Sequence, residues 1–87
     1  MGSVGRIYNF PLDMEEELRR RLSHSFKIED DIEEGGVKLF AKDCASAIYV
    51  GWVSAKILGI QVLGDPESHP YFNCVCDEVI SLGGKEI

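Results

Sequence analysis

The stretch Cys44–Gly64, CASAIYVGWVSAKILGIQVLG, decides the fold, because its apolar residues suit more than one structure. Apart from two serines, its only strongly polar side chains are Lys56 and Gln61. Its length is about that of a membrane span. Three features oppose a span. Lys56 would cost roughly 2.5–3.5 kcal/mol in the bilayer centre. Gly59 and Gly64 interrupt the last third, and no basic cluster anchors either flank. No membrane partner is expected.

A helical reading is more informative. At about 100° per residue, Ala47, Gly51 and Ala55 form a strip of small side chains that lets a helix sit close to a sheet. Asp43 can cap the start, and Gly59 can stop the helix in the left-handed conformation. This reading predicts a central helix over 44–58 and a short strand over 60–63. It leaves a narrow outward sector holding Ala45 and, with it, Tyr49, Trp52 and Lys56. Tryptophan and tyrosine dominate interface hot spots, so Tyr49, Trp52 and Lys56 are the candidate protein-interaction site.

Outward from this stretch, both flanks carry periodic patterns. Upstream, Phe26, Ile28 and Ile32 share one parity, as do Val37, Leu39 and Ala41, on either side of a glycine-containing turn. That alternation predicts an antiparallel hairpin, 25–32 against 37–42, with Asp30 breaking the parity near its tip. Before it, Met14, Leu18 and Leu22 make an apolar stripe. Pro11 suits a first turn, Glu15–Glu17 suit the positive end and Arg19–Arg21 the negative end of a helix. Residues 5–9 are a weaker strand candidate. Downstream, Phe72, Val75, Cys76, Val79 and Leu82 share a face of a helix over 70–82, and the glycines at 83–84 end it. The predicted class is α+β: one domain over 1–87, a small antiparallel sheet and two to three packed helices. The first six elements match the order of the split βαβ, ferredoxin-like arrangement, with an extra C-terminal helix.

The chain has 87 residues, 45 % hydrophobic and 28 % charged, which suits a single small globular domain. Its net charge is −6. Residues 11–35 hold nine acids against four bases. Such a surface is repelled by phosphate backbones, so nucleic acid is not an expected partner. Glu29, Asp30, Asp31, Glu33 and Glu34 gather on the predicted hairpin as a candidate acidic surface. Three cysteines cannot all pair within one chain, and the N-terminus lacks an apolar signal core. Free thiols in a reducing cytoplasm are expected.

The chemistry-bearing residues make no familiar constellation. His69, Cys74, Cys76 and Asp77 are close in sequence, but two cysteines at i, i+2 on a helix point nearly apart, so no metal is assigned. No phosphate loop, dinucleotide turn or zinc-protease motif is present, and no cofactor or catalytic residue is assigned. The expected function is that of a non-enzymatic, cytoplasmic interaction domain, dimerising through Tyr49, Trp52 and Lys56. One alternative is an acidic inhibitor, of the kind phages and mobile elements use, docking on the nucleic-acid site of a basic protein. A second is a small-ligand binder built from Trp52 with Tyr71 or Phe72.

Overall fold

A computed structural model describes residues 3–32, 35–63 and 69–87. Among them the elements run β1 (Ser3–Asn9), α1 (Glu15–Leu22), β2 (Lys27–Asp30), β3 (Val37–Ala41), β4 (Cys44–Trp52), β5 (Ile57–Leu63), α2 (Phe72–Ser81) and β6 (Lys85–Glu86). The strands form one sheet in the order β2-β3-β4-β5-β1-β6, and every neighbouring pair is antiparallel. The α+β class and the antiparallel sheet agree with the sequence reading. The ferredoxin-like order does not appear, and the described helices number two.

The main correction concerns residues 44–58, which are not helical. They form β4, a turn over 53–56 and the start of β5. Ile48, Tyr49, Val50 and Trp52 are β-branched or aromatic, types that favour a pleated strand. Gly51 would cost about 1 kcal/mol in a helix interior relative to alanine. As a strand, the segment alternates: Ile48 and Val50 are buried and Trp52 packs on the core, with Ala47, Tyr49 and Gly51 between them. Pairing with β3 on one side and β5 on the other then satisfies its backbone. Gly59 is not a left-handed cap; positive φ among the described residues belongs to Gly35, Gly36 and Gly83. Asp43 sits in the tight turn between β3 and β4 rather than at a helix start.

The remaining elements lie close to their expected places. α1 buries Leu18 and Leu22 as its stripe predicts, and Asp13 Oδ1 accepts the Glu15 N–H at 3.1 Å. Pro11 precedes the helix instead of entering its first turn. α2 buries Phe72, Val75, Cys76 and Val79. Residues 5–9 belong to β1, which pairs with β5 along seven positions. No helix among the described residues is long and apolar enough to cross a membrane.

The topology explains which face the helices cover. β1 leads through α1 to β2, a parallel strand at the far edge of the sheet. β5 leads through α2 to β6, parallel to it, in the opposite direction across the sheet. Crossovers between parallel strands are almost always right-handed. Reversing both the strand direction and the direction of travel returns the crossover to the same side. Both helices therefore pack on one face, where the Arg21 guanidinium lies 3.8 Å from the Glu78 carboxylate. No described helix is left for the other face.

Candidate functional site

That second face can be read from the strand register. One row runs Glu29, Lys38, Tyr49, Gln61 and Gly5 across five strands. The next runs Gly51, Gly59 and Ile7, and the Ile87 N–H reaches the Ile7 carbonyl at 2.9 Å. Phe40 and Ile57 lie on the same side. Phe40 alternates with the core-packed Val37, Leu39 and Ala41, and Ile57 with the buried Leu58. Tyr49, Phe40 and Ile57 are half-buried, whereas Ile7 and Ile87 are 48 % and 75 % exposed. The Lys38 ammonium lies 5.9 Å from the Tyr49 ring centroid, a cation–π distance. Among the described residues, the charged side chains that the register places on this face are Lys27, Lys38 and Lys85 against Glu29, a locally basic set around a centre of Tyr49, Gln61, Gly51 and Gly59, with Ile7 and Ile87 toward the β1–β6 edge. The Lys27 ammonium sits 3.3 Å from Glu29.

The structure separates the residues that the helical reading grouped. Tyr49 faces the uncovered side. Trp52 faces the helices, with its ring centroid 5.5 Å from that of Phe10. Lys56 is exposed in the β4–β5 turn, where its carbonyl accepts the Phe10 N–H at 2.8 Å. A strand places residues 49 and 52 on opposite sides, so the shared aromatic sector dissolves.

The acidic group is divided as well. Glu29 lies on the uncovered face, the Asp30 carboxylate receives Arg19 Nη2 at 2.8 Å beside α1, and Asp31 is buried. Glu33 and Glu34 lie outside the described residues. Ile32, expected to share the inward parity of Phe26 and Ile28, is 96 % exposed because β2 ends at Asp30.

The ligand-pocket grouping fares no better. Trp52 lines a cavity of about 250 Å³ between α1 and strands β2–β4, with Leu18, Ile28 and Val50. Tyr71 lines a different depression beside Cys74 and Glu78, and Phe72 is buried in the core.

One cluster of reactive side chains does converge. Cys44 Sγ lies 3.8 Å from His69 Nε2, and the Tyr71 hydroxyl donates to Asp43, 2.6 and 2.8 Å from its two oxygens. The hydrogen bonds decide what this cluster can do. His69 Nδ1 accepts the Tyr71 N–H at 3.1 Å, so the neutral ring carries its proton on Nε2. That N–H points to the Ser46 carbonyl at 3.1 Å. Cys44 thus faces a donor, and the imidazole offers it no lone pair to take a proton. The cluster tethers residues 69–71 to the β3–β4 hairpin, and the hydrogen bond to Asp43 holds the Tyr71 phenol above its ordinary range. Cys74 is exposed and Cys76 buried; among the described residues no group of three potential ligands could hold a metal.

Comparison with protein-family models, curated proteins and solved structures gives no match. The site is therefore defined by its own geometry. Sequence reasoning found Tyr49 but missed Phe40, Ile57, Ile7 and the glycine pair. The signal was present as two-residue alternation through 47–52 and 57–62.

Proposed function

We propose that this chain is a non-enzymatic protein-interaction domain that works through the uncovered face of its sheet and associates with itself there. The observation that supports this is the one-sided placement of both helices, which leaves Phe40, Tyr49, Ile57, Ile7 and Ile87 together on a face that no described element covers. Exposed patches of this kind mark interaction surfaces more often than chance. Size supports it too. Five interstrand spacings of about 4.8 Å and strands of roughly 20 Å give a face near 500 Å². Two such faces in contact approach the ~1,000 Å² at which weak, reversible interfaces begin.

The charge pattern bears on the partner. Lys27, Lys38 and Lys85 lie on this face, so a foreign protein docking on it would be acidic rather than basic. The exposed free thiol of Cys74 suits a reducing compartment such as the cytoplasm. Sedimentation velocity tests the proposal: the wild type should dimerise reversibly, and Tyr49→Ser together with Phe40→Ser should shift it to monomer without loss of fold. A wild type that stays monomeric at millimolar concentration would remove self-association.

A further inference from the structure

The uncovered face carries a projection and a recess of its own, two residues apart on one strand. Gly51 and Gly59 are directly paired across β4 and β5, near the middle of the sheet. Glycine weakens a strand interior, and where it persists a second backbone or a ligand often approaches closely. The fold itself does not call for these two. Neither has positive φ, a Cβ at Gly51 would meet nothing within 4 Å, and one at Gly59 would meet only the Gly51 carbonyl at 3.8 Å. Gly36 and Gly84 differ: a Cβ there would lie 2.3 Å from the Val50 carbonyl oxygen and 2.7 Å from Val79 Cγ1. The Gly51–Gly59 pair opens a flat recess bordered by Ile7, Ile57 and the Tyr49 ring.

We infer that the occupant of this recess is the Tyr49 ring of a second copy, and that the second copy's recess receives Tyr49 in return. This rests on the face being an interaction surface, and specifies how it is used. Tyr49 and Gly51 lie about 7 Å apart along β4. A two-fold axis in the plane between two facing sheets, midway between these residues, exchanges them. Each ring then lies over the opposite glycine, the self-complementarity that an isologous dimer requires. Without side chains at 51 and 59 the sheets approach closely enough for the ring to fill the gap. The area of two such faces lies at the weak, reversible end of specific dimers.

Complementation tests the geometry. Tyr49→Ala keeps the recess and loses the projection; Gly51→Val keeps the projection and fills the recess. Each variant alone should associate at least about tenfold more weakly than wild type, as expected for loss of a central aromatic anchor. Mixed in equal amounts they should form a heterodimer, because one ring still meets one open recess and the other pair of sites holds only alanine and valine. Thermal unfolding checks each variant, and Gly51→Ala is the milder form should valine perturb the strand. A wild type that dimerises while the mixture does not would overturn this docking and leave the interaction face standing. A monomeric wild type would overturn both.

Discussion

On the helix side of the sheet, Leu39, Ile48 and Ile60 reach 0 % exposure, whereas on the other side Ile7 and Ile87 remain at 48 % and 75 %. The same strands supply both faces, and each carries aliphatic and aromatic side chains. What separates them is the path of the chain between strands. Both crossovers return to one side, so one face gains two helices and the other is covered by no described element. An apolar face alone does not seal a small domain; it is sealed where a connection passes over it.

That contrast can be broken by substitution, and the largest effects belong to the covered side. Leu39→Ala should cost about 3 kcal/mol in urea denaturation, as expected for a fully buried leucine that leaves a cavity. Trp52→Ala should cost roughly 2 kcal/mol, since the indole is only partly buried. Both should act on stability first. Tyr49→Ser should change the monomer's stability by less than about 1 kcal/mol, close to an ordinary surface substitution, yet release the dimer. If Trp52→Ala instead releases a dimer without destabilising the monomer, the two faces have been assigned the wrong way round.

A smaller comparison uses alanine at two glycines. Gly84→Ala forces a methyl against Val79 and Phe10, at 2.7 and 3.1 Å, and should destabilise by about 1–3 kcal/mol. Gly51→Ala has open space and should stabilise the monomer by up to ~1 kcal/mol. Thermal unfolding of dilute protein should therefore move in opposite directions for the same chemical change. Equal losses at both would mean that position 51 is crowded after all.

The effect smallest at neutral pH concerns Tyr8, wholly buried on the covered side, where its hydroxyl lies beside Cys76 and Arg6 without a well-formed hydrogen bond. Burial, chiefly, pushes its phenol up to about 12 from an ordinary 10.0. The folded chain therefore holds a proton that the unfolded chain releases first. Stability from this source is complete below about pH 10 and is lost as pH rises through about 12. Tyr8→Phe should flatten that alkaline loss. An unchanged alkaline slope would place its origin elsewhere.

Much of the fold was legible where a segment fits only one period. Met14, Leu18 and Leu22 recur every four residues, and Phe72, Val75, Cys76 and Val79 cluster on one helical face, so both helices were found. Phe26 to Ala41 alternate around a glycine turn, and the hairpin followed. Residues 44–58 fit both periods. Small residues at 47, 51 and 55 line up at helical spacing, while Ile48, Val50 and Trp52 line up at strand spacing. The choice between them was made by partners distant in sequence, β3 and β5, which no single window contains. The site inherited that ambiguity. At 100° per residue Tyr49 sits with Trp52 and Lys56; at 180° it sits with Ala47 and Gly51 and turns away from Trp52. β6, two residues long, carries too little pattern to be read at all.

The two faces can be compared in a single experiment, because isoleucines mark both of them and the rest of the surface. Methyl relaxation by a soluble paramagnetic agent should spare Ile48 and Ile60 at every protein concentration. In dilute solution it should affect Ile57 and, more strongly, Ile7 and Ile87, together with Ile32 and Ile80, which are 96 % and 55 % exposed and lie outside the strands. As concentration rises, Ile7, Ile57 and Ile87 should become protected while Ile32 and Ile80 stay accessible. Persistent relaxation of Ile7, Ile57 and Ile87 at high concentration, or protection appearing at Ile32 and Ile80 instead, would contradict an interface on the uncovered face of the sheet.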